Sequence, residues 1–267
     1  MDINSERFTA LQRPAWESFC ETTPVDRENI LNQTAGMSLR DFATSHPFKI
    51  VAVEGPNMAG KTTLIRKVAE LLNGAEYPCI VIPEYVDYMK GQNTAPEHPL
   101  QNEAEMLAEA NFFLHVEHLR QQDMIEILAR HKNEDCGLLI LDRCFFTCLA
   151  YAELSGNPVS RSLFEEYLQS KNFISPDFML FLAIDPNSAE YSRRRERRKE
   201  KNPDACRGLT YKVEEYSYIY RNTDYEAFFR SEVTTLHPAI RFIDSLSVQP
   251  QDCIQILMDT GILKVDC

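Results

Sequence analysis

From Phe48 onward, short apolar runs alternate with longer stretches in which apolar residues recur at helical spacing. The runs are 48–53, 79–83 (Cys-Ile-Val-Ile-Pro), 137–141 (Gly-Leu-Leu-Ile-Leu), 178–184 (Phe-Met-Leu-Phe-Leu-Ala-Ile) and 239–243 (Ala-Ile-Arg-Phe-Ile). Most are almost continuously apolar, as parallel strands covered on both faces must be. Helical patterns separate them over 61–73, 102–131, 145–155, 160–171, 187–201, 209–230 and 250–259. The alternation predicts an open, doubly wound α/β sheet, and in such sheets ligands sit beyond the carboxyl ends of the strands. Residues 1–47 hold Pro14, Pro24 and Pro47 among short amphipathic stretches. They predict an N-terminal extension of short helices, docked through Trp16 and Phe19, before a single domain over 48–267.

Composition narrows the function classes. A chain of 267 residues can bury a sizeable core. No apolar run reaches the roughly 20 residues of a membrane span, and the first residues lack a secretory pattern, so a soluble, cytoplasmic protein is the expectation. The formal charge of −12 argues against a general nucleic-acid or anionic-membrane partner, because both need a broad surplus of Lys and Arg. A local basic pocket for a small anion is still compatible with it. The eight cysteines show no paired spacing of a zinc site and read as free thiols.

Chemistry concentrates between the first run and the first helix. Gly55-Pro56-Asn57-Met58-Ala59-Gly60-Lys61-Thr62-Thr63 fits G-x-x-x-x-G-K-[ST], the phosphate-binding P-loop. Gly55 and Gly60 permit backbone conformations that let successive N–H groups curl around an anion at a helix N-terminus. Lys61 adds a charge for the β- and γ-phosphates, and Thr62 offers a hydroxyl to a bridging Mg²⁺.

The ends of the other runs carry candidates of the right type. Asp142 is positioned to support Mg²⁺ and Arg143 to grip an anionic acceptor; without the phosphate loop the two would read as a surface ion pair. Glu84 reads either as a base for a hydroxyl nucleophile or as a helix-capping, solvated carboxylate. In Arg193-Arg194-Arg195-Glu196-Arg197-Arg198-Lys199-Glu200-Lys201, Arg194 and Arg198 share one helical face and repel each other. In isolation the stretch reads as a solvated helix face or a nucleic-acid patch; beside a phosphate loop, where an anion between the two arginines would relieve their repulsion, it predicts an arginine-rich lid over a triphosphate. Phe112 and Phe113 in the long helix read as core, with one of the pair a candidate for stacking on a base.

Together these residues resemble the thymidylate kinase and deoxynucleoside kinase group of P-loop kinases, from about Phe48 to Leu257. Val53 to Thr63 looks like the thymidylate kinase phosphate loop. Leu141-Asp142-Arg143-Cys144-Phe145-Phe146-Thr147-Cys148-Leu149-Ala150-Tyr151 is similar to that family's Asp-Arg-Tyr-x-x-Ser-x-x-Ala-Tyr element. Pro176-Asp177, Tyr225 and Ile243-Asp244 also fit. The resemblance implies a P-loop NTPase three-layer α/β/α fold with a five-stranded parallel sheet in the order 2-3-1-4-5. It also implies transfer of the ATP γ-phosphoryl group with Mg²⁺, substrate contacts at Arg143 and Tyr151, and a possible homodimer. Departures bear on the acceptor. Thymidylate kinases usually have an acid where Asn57 stands and an arginine after the second strand where this chain has Pro83-Glu84. The arginine one turn after their stacking phenylalanine is replaced here by Val116 or Glu117. Ile82-Pro83-Glu84-Tyr85-Val86 is instead similar to deoxynucleoside kinases, in which this glutamate takes the 5′-hydroxyl proton. The first expectation is therefore a nucleoside monophosphate kinase, the second a nucleoside kinase with Glu84 as base, and the third a non-catalytic nucleotide-binding protein.

Overall fold

The computed structural model of the chain describes residues 38–89, 102–185, 187–201 and 222–264, without the side chains of 198, 199, 201, 222 and 223. Of the expected N-terminal extension, residues 38–47 are described and form helix α1 (Leu39–Ser45), started by Ser38, whose hydroxyl accepts from the Asp41 N–H. Strand β1 (Phe48–Glu54) leads into α2 (Lys61–Gly74), then β2 (Cys79–Ile82), the short α3 (Tyr85–Met89) and the long α4 (Glu103–Arg130). Next come β3 (Gly137–Asp142), α5 (Phe146–Leu154), α6 (Pro158–Gln169), β4 (Phe178–Ala183) and α7 (Ala189–Lys201). Helix α8 (Asn222–Phe228) continues through a π-helical turn, Phe229–Val233, and a last turn, Thr234–Leu236, before β5 (Ile240–Asp244) and α9 (Pro250–Asp259).

All four strand pairings are parallel, in the order β2-β3-β1-β4-β5. The period of two along each strand divides the core into two halves. Ile50, Ala52, Leu139, Leu141, Met179 and Phe181 face a cluster supplied by α4, α5, α6 and α8. Val51, Val53, Leu138, Ile140, Leu180 and Leu182 face the other way, onto α2 and α9. The result is three layers, α/β/α, which explains why the inner runs are apolar without alternation: β3 is buried at every position, whereas the edge strand β5 is only partly covered.

The sheet order puts β1 between β3 and β4, so the carboxyl ends of β1, β2 and β3 open side by side. Expected boundaries hold to within a few residues. Helix α6 starts earlier than its apolar pattern because Pro158 takes the first helical position after the Asn157 cap. The first part of the helix expected over 209–230 lies outside the described residues, and the described part extends past 230 through the π-helical turn. Among the described residues no helix is long and apolar enough to cross a membrane.

Candidate phosphoryl-transfer site

The loop after β1 is shaped by its backbone. Gly55 (φ 135°), Met58 (φ 66°) and Gly60 (φ 93°) all occupy the left-handed half of conformational space. Gly55 is also pressed against β4: a Cβ there would stand 2.4 Å from the carbonyl oxygen of Leu182, which only glycine avoids. Gly60 caps α2 without any side-chain bond to the helix N-terminus, and the first turn carries no acid. The positive end of the helix is thus left for an anion. Lys61 is buried, and its Nζ donates to the carbonyls of Gly55 (3.0 Å) and Pro56 (3.1 Å). Burial, reinforced by Arg143, pulls its pKa down to about 8. Thr62 and Thr63 are exposed at the loop's rim, and Pro56 and Ala59 are buried beneath it.

Strand β3 delivers Asp142 to the same place. The Thr62 hydroxyl donates to Asp142 Oδ2 at 2.6 Å, while Asp142 Oδ1 is buried with no hydrogen-bond partner. Burial raises this carboxyl's pKa against the pull of Lys61. A hydroxyl next to a carboxylate oxygen in need of a partner is a hard-oxygen donor pair that fits Mg²⁺ shared with phosphate oxygens. Among the described residues there is no cluster of three or more His, Cys, Asp or Glu able to hold a metal alone.

Arg143 is the hub of the site. Its backbone is left-handed (φ 68°), with the N–H bonded to Val53 O at 3.1 Å. From there the guanidinium donates from Nε to Glu84 (2.6 Å), from one NH₂ group to Tyr225 Oη (3.0 Å) and from the other to Asn57 Oδ1 (3.0 Å). Glu54 lies 3.7 Å away. Its carboxylate, wholly buried, also accepts from the Cys144 N–H (2.7 Å), the Thr147 hydroxyl (2.8 Å) and Tyr225 Oη (3.1 Å). Glu84 remains partly open to solvent. Burial alone would raise its pKa, but Arg143 and Lys61 outweigh that and hold it below the ordinary glutamate value, so it is ionised at neutral pH.

The structure thus brings together Lys61, Thr62, Asp142, Arg143, Glu84 and the loop from Gly55 to Thr63. Tyr151 packs beside them, its ring 5.8 Å from that of Tyr225, with burial pushing its pKa up to about 12. Arg194 reaches the site from α7: one NH₂ group donates to the carbonyls of Met58 (3.2 Å) and Ala59 (3.1 Å), and its Nε donates to Glu190 (2.9 Å). The side chain of Arg198 lies outside the described residues. The described ring contacts of Phe112 and Phe113 are with each other and, through Phe164, with the aromatic cluster of Phe145, Tyr167 and Phe173, not with the phosphate loop. Sequence reading gave no role to Glu54, Thr147, Tyr225 or Arg120. The available signal was Glu54 itself, an acid that ends an apolar strand and, once buried there, needs partners from elsewhere.

Residues 50–227, more than half of the chain, match a protein family described as AAA domain. Among curated proteins no match is found. Among solved structures, the thymidylate kinase from Ehrlichia chaffeensis is similar in fold, with a TM-score of 0.51 and 16% sequence identity over 79% of this chain and 98% of that one. With that P-loop kinase-like fold and a match across its phosphate loop, strand-end carboxylates and α7, the chain belongs to the AAA domain family.

Proposed function

We propose that the chain transfers the γ-phosphoryl group of ATP, with Mg²⁺, to a small nucleoside-type acceptor. The observation that carries this reading is the meeting, at the carboxyl ends of β1 and β3, of a helix N-terminus with no side-chain cap, the Lys61 ammonium and the Thr62–Asp142 pair. In this reading the loop amides and Lys61 bind the β- and γ-phosphates, and Thr62 and Asp142 hold Mg²⁺. Bound there, the ion would supply charge neutralisation on the phosphates. Arg194 is near enough to the loop to exchange its carbonyl partners for phosphate oxygens, with Arg198 as the second arginine of a closing lid. The transfer itself asks little covalent help of the protein, so positioning and charge carry most of the rate.

For the acceptor, a free hydroxyl is better supported than a monophosphate. The Arg143 guanidinium is buried among Glu84, Tyr225 and Asn57, close to Glu54, and so is already engaged rather than open to grip a phosphate. An ionised Glu84 beside the phosphate loop would repel a dianionic acceptor but can accept the proton of a hydroxyl. The acceptor oxygen then bonds to the γ-phosphorus, the bridging oxygen leaves with ADP, and the proton goes to Glu84. The monophosphate reading stays as the second, favoured by the thymidylate kinase named among the structural neighbours.

The test is ADP formation from ATP and Mg²⁺ across a panel of nucleosides and their monophosphates, with Lys61→Ala as the blank. Turnover on nucleosides that falls by roughly 100-fold or more in Glu84→Gln is the expected result. Turnover confined to monophosphates and indifferent to Glu84→Gln would replace the first acceptor by the second. Tight ATP binding with no transfer to any acceptor would refute both.

A further inference from the structure

Arg120 and Arg143 are the two largest fully buried side chains among the described residues, and only Arg143 has so far been given a task. Arg120 lies in the middle of α4 and reaches across to the end of β3. One NH₂ group donates to the Arg143 carbonyl at 2.9 Å and approaches the Asp142 carbonyl at 3.4 Å. The other faces Glu117 at 3.5 Å, and the guanidinium carbon sits over the ring of Tyr85, the residue after Glu84, 4.0 Å from its centroid. Glu117 is itself fixed by the Tyr85 hydroxyl (2.5 Å) and by Gln121 (2.6 Å), whose own oxygen accepts from the Ile174 N–H (2.9 Å).

A buried arginine needs a reason, because desolvating it is costly unless its charge and donors are used. The reason lies in the backbone it touches. A left-handed arginine is disfavoured and persists only where its surroundings impose it. Here the Arg143 N–H is held by Val53, the next N–H by Glu54, and the carbonyl by Arg120. With that peptide turned, Asp142 reaches Thr62, and the Arg143 side chain reaches both Asn57 on the donor side and Glu84 on the acceptor side.

We infer that Arg120 is a positioning residue. It clamps the Asp142–Arg143 turn and, through the Tyr85 ring, registers the Glu84 end of β2 against it. This rests on the kinase reading of the same site, and touches no substrate. Other buried groups carry less. His237 has an unpartnered Nδ1, but its Nε2 only ties Pro176, and the exposed apolar residues Leu71, Val86, Leu107, Leu236 and Leu246 are spread over separate elements.

The test compares wild type, Arg120→Lys, and the double variant Arg120→Met/Glu117→Gln. The double variant removes the donors without stranding a buried carboxylate, since a glutamine at 117 can still bond Tyr85 and Gln121. Amide hydrogen exchange is followed at Arg143 and Cys144, with α2 amides as reference, alongside kcat per folded molecule and the Kd for ATP. The expected result is exchange faster by about tenfold or more at those two amides in the double variant. With it, kcat should fall by roughly 10- to 100-fold at unchanged ATP affinity. Arg120→Lys, which can still donate to both carbonyls, should recover most of the rate. Unchanged exchange at Arg143 and Cys144, or wild-type kcat in a folded double variant, would overturn the inference. A wild-type chain that transfers to no acceptor would overturn the kinase reading instead, and the exchange rates would still decide the clamp.

Discussion

Lys61 offers the most quantitative prediction. Its ammonium is buried, its hydrogen bonds among the described residues go to the neutral carbonyls of Gly55 and Pro56, and its pKa falls from 10.5 to about 8 through burial first and Arg143 second. That fall corresponds to roughly 3 kcal/mol of bias against the charged form. Because the folded pKa lies below the unfolded one, the unfolded chain binds the extra proton between about pH 8 and 10.5. Stability of the ligand-free chain should therefore rise with pH across that window, and the burial cost is fully present below it.

Bound phosphates would reverse the bias, since the ammonium then faces negative charge, and ATP binding becomes linked to proton uptake. With a free-state pKa of about 8 and a bound-state value well above it, linkage makes the Kd for Mg–ATP rise by about tenfold between pH 7 and 9. Titration calorimetry in two buffers of different ionisation enthalpy reads the protons directly. Uptake should be near zero at pH 7 and approach one per ATP at pH 9, and Lys61→Met should bind more weakly with no such slope. A wild-type Kd that is flat over this range, or a Lys61→Met variant that keeps the slope, would refute the assignment of Lys61 to the phosphates.

The two loop glycines should fail in different ways. Gly55→Ala drives a Cβ to 2.4 Å from the Leu182 carbonyl oxygen, on a neighbouring strand, and should cost about 3–5 kcal/mol in chemical denaturation. Gly60→Ala meets only the end of the flexible Arg194 side chain, at 3.4 Å, so its cost is the left-handed strain of about 1–2 kcal/mol. Equal losses at the two sites would mean that the approach to β4 is unimportant. Thr62→Ala removes the donor to Asp142 Oδ2 and, on the proposed reading, one hard-oxygen ligand of Mg²⁺. The half-saturating Mg²⁺ concentration should rise by roughly tenfold in an ATP turnover assay, with the melting temperature little changed; an unaltered Mg²⁺ requirement would take Thr62 out of the metal site.

Much of the fold was legible because it depends on local pattern. Continuous apolar runs marked strands buried on both faces, and the G-x-x-x-x-G-K-[ST] spacing located the junction of β1 with α2 and the φ > 0 glycines. The candidate site was legible as a set of strand ends. What could not be read was how those ends engage each other. Arg143 looked like an anion grip, yet parallel pairing brings it Glu84 from 59 residues away, along with Glu54 from the next strand. Neither partner is implied by the Asp-Arg dipeptide. Phe112 and Phe113 show the complementary problem, because helical spacing defines an apolar face without telling whether it points to the core or to a crevice.

The same limit applies to Arg120, to which the sequence alone assigns no role. An arginine in a helix rich in charge reads as solvated, and only the tertiary fold reveals that it ends on two backbone carbonyls. Two residues other than glycine in the site, Met58 in the phosphate loop and Arg143 after β3, have positive φ. Strain of this kind persists only where the surroundings over-determine it. Met58 is held by Arg194 through its carbonyl and Arg143 by Arg120 through its own, so each strained peptide is answered by a guanidinium from a different helix. If α7 closes as the proposed lid, the Met58 contact is the one a ligand would release, whereas Arg120, buried on α4, would keep hold of the Arg143 carbonyl. On the proposed kinase reading, the donor side of the site would then adapt to ATP, and the acceptor side would be preorganised before anything binds.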